Sequence, residues 1–412
     1  MPRAPRARVF LCLLAGAAAD GCTGPQSGPP SDPNRLEVVR LEPVEVRGYT
    51  RTDLIDEFER SRSLLLGERY GEAALAFDKL AKLALDPELA AASLYHAASA
   101  YESAGDNEQA IQRYTELADK HAALSDARLG MVRLTRLLGY LERWREVVAA
   151  AEALLARPDL TLLDQIEGEG YRAIALASEG RVDDAERSIG RALEIIDRNH
   201  LGQAGAPPVQ LAAVFFALGE VRRLHSEEVK LVPVTAQFSE VLERRCKELL
   251  DAQSAYTDAM RAKDAHWSAM SGYRVGQLYQ QLHREAMAIP PPDNAQSERD
   301  RQLFEGAMRL RYHKLLEKGL AMMESVLRLG DRTGESSYWV TRARQAKADL
   351  EHSMADEKAA LARMPFTEEQ MRLALEKLKA RAKAQQGSST PVPSPKATGT
   401  GSPTPPPPPP GP

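Results

Sequence analysis

The sequence predicts an all-α fold, an α-solenoid of stacked helical hairpins between flanking disordered segments, and three observations carry that reading. The first is a register. Ala73, Ala110 and Val147 recur every 37 residues, followed four residues on by Phe77, Tyr114 and Ala151 and three further on by Leu80, Leu117 and Leu154. A fourth copy, Ala185, Ile189 and Ala192, comes after 38. Spacing of i, i+4 and i+7 puts each trio on one face of a helix. The second observation is punctuation: Gly67, Gly105 and Gly180 stand as turn residues just upstream of three copies, with Glu142 breaking the series in the other. The third is composition. Aromatic residues make up 6% and charged residues 27% of the chain, the middle is rich in Ala, Leu, Glu and Arg, and almost nothing between Asp53 and Ala288 alternates as a strand would. A helix–turn–helix unit cannot bury its apolar face alone, so neighbouring units must stack into a superhelix with an extended concave surface.

Residues 1–21 read as an export signal. Arg3, Arg6 and Arg8 form a basic start, Val9 to Ala19 an apolar stretch too short to span a bilayer as a helix, and small residues follow. Two cleavages compete. Ala19-Asp20-Gly21-Cys22 resembles a bacterial lipobox, with Ala19 in place of the usual leucine and an atypical Asp20, and implies lipidation at Cys22. Ala17-Ala18-Ala19 suits ordinary signal peptidase and implies a soluble periplasmic protein instead. The lipoprotein reading is favoured because Cys22 opens a polar Pro/Gly tether, TGPQSGPPSDPN, within a lipid-anchored linker over 22–52. Thr23, not aspartate, follows the cysteine, and the resemblance then implies the periplasmic face of the outer membrane. Within the linker, Leu36 to Tyr49 alternates briefly around Val44 and Val46, with Pro43 confining any strand to an edge. It either packs extended on the first repeat or pairs with a partner's sheet.

The repeats occupy 53–200, about four units, and resemble the tetratricopeptide repeat (TPR). In YHAASAYESAGDNEQAIQRYTEL the aromatic, glycine, alanine, aromatic order appears as Tyr101, Gly105, Ala110 and Tyr114. GERYGEAALAFDKLAKLALDP supplies Tyr70, Ala73, Phe77 and Pro87, and EGRVDDAERSIGRAL supplies Gly180, Ala185 and Ala192. The family period is about 34, so each unit carries extra residues in longer helices or turns. After the break at Gly202–Pro208, further TPR-like helices are expected over 207–288: Ala252, Tyr256 and Ala259 have second-helix spacing, and Gly276 with Tyr279 first-helix spacing. Ile289–Asp293, with its three prolines, is expected to stop that array. A C-terminal helical hairpin over 295–364 turns at Gly330–Glu335. A terminal helix over 365–386 begins with Thr367 as N-cap, Gln370 closing a capping box and Phe366 against Met371 as a hydrophobic staple. The tail, 387–412, is Pro-rich and disordered, a solvated spacer or a ligand for an aromatic-lined groove.

Chemistry is sparse. There is no HExxH, GxSxG or Walker lysine, and no cysteine pair has zinc-site spacing, so no catalytic residue, metal site or cofactor is expected. Gly168–Ala173 fits GxGxxA superficially, but its flanks are helices where a dinucleotide fingerprint needs a strand. Paired acids such as Asp183 with Asp184 and Glu227 with Glu228 read as solvated positions, and the histidines, among them His96, His121, His266 and His283, are scattered. Of three cysteines, Cys12 leaves with the signal, Cys22 is the anchor, and Cys246, on the stripe Phe238, Leu242, Cys246, Leu249, is expected to be buried on a helix. Formal net charge is −4, falling near −6 when Arg3, Arg6, Arg8 and Asp20 leave, which gives no ground for a nucleic-acid partner. No small-molecule substrate is evident.

The TPR resemblance implies a concave surface built mainly from the first helix of each unit. By this register it offers Tyr95, Ser99, Glu102, Arg136, Tyr140 and Glu167, which are mixed in charge and lack the lysine and asparagine clamp that related modules use for chaperone tails. The implied partners are extended peptides or helices of cell-envelope proteins. The whole arrangement resembles outer-membrane TPR lipoproteins, including those of the myxobacterial gliding-motility envelope complex. It implies a non-enzymatic adaptor in a multiprotein envelope machine; the alternative is an assembly factor for outer-membrane β-barrel proteins.

Overall fold

The computed structural model describes residues 48–377 apart from 204, 236, 294 and 375. The expected signal, Cys22, the edge segment up to residue 47, the end of the terminal helix and the Pro-rich tail lie outside the described residues. The described residues from Tyr49 on form one compact unit. Helices follow one another as hairpins: α1 (Arg51–Leu66) with α2 (Tyr70–Leu83), α3 (Pro87–Ala104) with α4 (Asn107–Lys120), α5 (Ser125–Tyr140) with α6 (Trp144–Leu155), and α7 (Leu162–Ser178) with α8 (Val182–Arg198). Three longer elements extend the series: α9 (Leu211–Glu228) with α10 (Phe238–Met260), α11 (Ala265–Met287) with α12 (Glu298–Thr333), and α13 (Tyr338–Arg363). This is an all-α solenoid of TPR-like hairpins.

Several helix starts carry side-chain caps. Thr50 with Asp53 and Thr161 with Asp164 form capping boxes on α1 and α7, while Asp86, Asp106, Asp264 and Ser297 each accept a backbone N–H at the start of theirs. At the terminal helix the Thr367 N–H donates to Gln370 and the Gln370 N–H to the Thr367 hydroxyl, so that box is formed, and Met371 is buried beneath Gly306 of α12.

All twelve residues of the repeating trios lie on α2, α4, α6 and α8 and are at most 3% exposed. The 37-residue register is therefore the register of the core. The turn between the helices of each hairpin repeats as closely. A left-handed residue stands at Glu68 (φ 59°), Gly105 (81°), Glu142 (57°) and Gly180 (77°). Two expectations change here. Gly67 is not the left-handed turn residue; it caps α1 at φ −83° and Glu68 takes the strained position. Glu142 does not break the series either, since its backbone adopts the conformation that glycine takes in two other units.

Odd-numbered helices from α3 to α13 touch the next odd-numbered helix as well as their hairpin partners, whereas even-numbered helices make no comparable contacts with one another. A layer whose members touch lies on the shorter radius of a curved stack, so the odd helices form its inner face. Ile289–Asp293 lies in the loop that joins α11 to α12, and these two pack along their length, with Gly276 and Gly319 allowing close approach. The stack thus continues past the prolines, and α12 packs on both α11 and α13. On α10 the expected buried cysteine is half-buried, as are Phe238 and Leu242, while the neighbouring Arg245 is fully buried. Arg245 donates to Glu285 of α11 at 2.8 Å and to the Ser226 hydroxyl of α9, so the guanidinium ties three helices together.

Candidate protein-binding surface

The six groove candidates all fall on inner-layer helices: Tyr95, Ser99 and Glu102 on α3, Arg136 and Tyr140 on α5, Glu167 on α7. Their exposure differs. Tyr140 is 50% exposed. Tyr95 is half-buried, its ring 6.3 Å from that of Tyr114 and 5.6 Å from that of His96. The polar members bind one another. Arg133 of α5 reaches Glu102 at 3.2 Å and donates to the Ser99 hydroxyl at 3.3 Å, while the Tyr114 hydroxyl donates to Glu102 at 2.8 Å. Burial, more than the adjacent carboxylate, pushes the Tyr114 hydroxyl well above its ordinary pKa, so it stays a donor. Arg136 clamps the buried Glu167 with both sides of its guanidinium, the second bond at 2.6 Å. These pairs join α3 to α5 and α5 to α7, spacing the inner layer; Tyr140 is the candidate left free to meet a partner by its exposure.

Beside Tyr140 the fold assembles residues that the linear pattern did not bring together. The Tyr140 ring lies 5.2 Å from His266 of α11, whose Nδ1 is 3.4 Å from Glu335 ahead of α13. Two residues beyond Tyr140, left-handed Glu142 receives both Nη groups of Arg342 on α13, at 2.8 and 3.1 Å, across 200 residues of chain. Burial works against the Arg342 charge, but the interactions with Glu142 and Tyr338 together outweigh it and raise the guanidinium pKa. Arg342 also stands over the rings of Tyr338 at 4.1 Å and Trp339 at 4.7 Å, and Arg274 of α11 stands over Trp339 at 5.2 Å. Behind them Phe216, Trp267 and Tyr171 continue the aromatic layer, with Trp267 at 5.6 Å from Phe216 and 5.7 Å from Tyr171. Sequence reasoning missed Tyr338, Trp339 and Arg342. The one available signal was the SSYW run directly after the turn expected at Gly330–Glu335, of which residues 330–333 prove to be the last turn of α12 and Gly334 its left-handed cap.

A second polar knot lies underneath. Glu220 of α9, 3% exposed, accepts from the Tyr256 hydroxyl at 2.8 Å and from Arg223 at 2.9 Å, and the Arg274 Nε is 2.7 Å away. Burial alone would raise the Glu220 pKa; the two guanidiniums and the hydroxyl more than reverse it, and the carboxyl sits below its ordinary range. Arg274 therefore binds Glu220 at one edge and faces Trp339, linking the core to the inner surface.

The two scattered histidines that do meet a common partner are His283 and His313, at 2.6 and 3.0 Å from the two oxygens of buried Glu357. Among the described residues no group of three or more acids, histidines or cysteines is arranged to hold a metal ion, and no helix is long and apolar enough to cross a membrane. Gly168–Ala173 lies within α7, with no strand before it.

The fold and this surface define a class, a solenoid of TPR-like hairpins with an aromatic and arginine-rich inner face. Solved structures similar to it include a tetratricopeptide repeat protein from Parabacteroides merdae, at 11% identity over 72% of this chain and 98% of that one with a TM-score of 0.38. Others are BtubC from P. vanneervenii (13%, 73% and 97%, 0.32) and yeast Tom70 (10%, 82% and 96%, 0.24). At these scores the likeness carries nothing about partners. No family model matches the chain, and no curated protein does.

Proposed function

We propose that the chain is a non-enzymatic protein-interaction scaffold, tethered to the periplasmic face of the outer membrane through lipidated Cys22 and working within a multiprotein envelope machine of the gliding-motility or transport type. One observation carries the interaction part: the inner face presents exposed Tyr140 and Tyr338, 50% and 61% exposed, beside the Arg342–Glu142 and Arg136–Glu167 ion pairs. Amphipathic aromatic rings held on a rigid support are the side chains that supply most binding energy at protein interfaces. The anchoring part rests on the lipobox-like Ala19–Cys22 and the Pro/Gly tether behind it.

Affinity purification of the tagged, lipidated protein tests both. Tyr140→Ala with Tyr338→Ala is expected to lose the principal co-purifying proteins while circular dichroism and melting stay as in the parent. Retention of every partner by that variant defeats the inner-face assignment. Cys22→Ser is expected to move the protein from membranes to the soluble periplasmic fraction; membrane association that persists without a co-purifying membrane partner rejects the anchor. Recovery of the barrel-insertion pore as the main partner would select the assembly-factor reading over the standing scaffold.

A further inference from the structure

A cavity among the described residues lies away from the inner face. It encloses about 410 Å³ between the end of α10, the first turns of α11 and the last turns of α12, lined by Met260, Ser268, Met322, Val326, Leu329 and Arg332, with Ser325 and Arg328 on its edge. Its position follows from the two-layer stack. Even-numbered helices do not close against each other, so a cleft remains between α10 and α12, floored by α11. The floor is firm, because Gly272 of α11 lets Val326 come so near that a Cβ there would meet its Cγ2 at 2.6 Å.

The cleft has the chemistry of a helix-binding groove. Met322, Val326 and Leu329 fall at i, i+4 and i+7 on α12; Val326 is buried against α11 while Met322 and Leu329 are half-buried at the cleft, as is Met260 across from them on α10, an apolar opening one helix face can cover. Methionines at two of the four apolar positions let the surface adapt to different apolar side chains. The charged groups of the lining are both arginines, with no carboxylate. Arg328 touches Glu324 at only 3.6 Å and its side chain is 69% exposed; Arg332, also exposed, has no ion pair among the described residues. Four residues apart, the two arginines lie one turn apart on the same edge of the groove.

We propose that this outer cleft is a docking site for an acidic amphipathic helix of a partner protein, its apolar face on half-buried Met260, Met322 and Leu329 and two carboxylates one turn apart on Arg328 and Arg332. The charge asymmetry decides the occupant: an apolar groove edged only by guanidiniums repels a basic helix and rewards an acidic one. This goes beyond the inner-face reading, since it uses the opposite layer of the solenoid. A scaffold with one surface on each layer can hold two proteins at once.

The test uses the full-length protein and an 18-residue fluorescein-labelled helical peptide of leucine, alanine and glutamate, with glutamates at i and i+4 beside the leucine face, and its counterpart with lysine for glutamate. Anisotropy is expected to show the glutamate peptide binding at least about ten-fold more tightly than the lysine peptide, with affinity falling as salt rises. Arg328→Glu with Arg332→Glu is expected to reverse that preference. Met322→Ser is expected to weaken the glutamate peptide about ten-fold without touching the arginines. Tyr140→Ala with Tyr338→Ala is expected to leave all of this unchanged, which separates the groove from the inner face. Equal binding of the two peptides, no binding of the glutamate peptide at millimolar concentration, or an undiminished affinity in the charge-reversed variant overturns the proposal. So does competition in which laurate displaces the peptide stoichiometrically, which would make the cleft a fatty-acid site, or a concentration-dependent dimer abolished by the charge reversal, which would make it a self-association face. Both arginines are exposed, so the charge-reversed variant is expected to fold, and melting confirms it.

Discussion

Glu220 shows how one buried charge is tolerated. A carboxylate this deep would cost several kcal/mol if left alone, yet three donors surround it and its pKa is held below the ordinary 4.5. Because the folded-state pKa is lowered, the carboxylate's contribution to stability is complete above pH 4.5 and is lost as pH falls through the folded value. Glu220→Gln is therefore expected to cost about 3–5 kcal/mol at pH 7, because Arg223 and Arg274 lose their counter-charge. The gap in melting temperature between variant and parent should narrow steadily below pH 4.5; a gap independent of pH would mean that the cost comes from packing rather than charge. Ala110 makes the complementary case for an apolar position. It is fully buried on α4, so Ala110→Phe is expected to cost about 1–3 kcal/mol by overpacking, while Ala153→Phe on the exposed side of α6 should change melting little.

At the scale of elements, the second helices were legible because every unit repeats the same burial problem and solves it with the same small, large and aliphatic side chains. The cap at Thr367 was legible for a similar reason, since the donor it satisfies lies within three residues. Arg245 was not. A charged arginine beside the stripe suggests solvent, and only Glu285 and Ser226, brought from α11 and α9, make its burial possible. The left-handed turns fall between these cases: glycine at 105 and 180 announced two, and glutamate at 68 and 142 concealed two. Backbone conformation, not residue type, is what repeats. Gly105 has open space around a built Cβ but sits at φ 81°, so Gly105→Ala is expected to cost about 1 kcal/mol from backbone strain alone. Gly190 lies exposed inside α8 with equal space and ordinary helical backbone, and Gly190→Ala should instead stabilise by about 0.5–1 kcal/mol. Thermal melts of the two variants should move in opposite directions; a common direction would contradict the assignment of strain.

For residues 49 onward as a whole, the path Glu220, Arg274, Trp339, Arg342, Glu142 joins α9, α11 and α13 to the turn after α5. No sequence periodicity could reveal it, because its last step spans 200 residues and uses a glutamate that the repeat pattern treats as an interruption. Its physical effect is to brace the inner face: from α3 on each odd helix already packs on the next, and the Arg342 pair adds a direct tie from the fifth helix's turn to the thirteenth helix. Stacked repeats store curvature in many small interfaces, and a single long-range tie of about 1 kcal/mol can bias that sum without deciding the fold. Arg342→Ala is thus expected to leave helicity intact, lower the melting temperature by a few degrees and increase the radius of gyration measured by small-angle scattering. Raised salt should move the parent only part of the way, since both members of the pair have side chains 27% exposed and the two ring contacts remain. If scattering finds the variant as compact as the parent, curvature is set by the odd-helix packing alone, and Tyr140 would then face a surface whose width no partner or ionic condition readily changes.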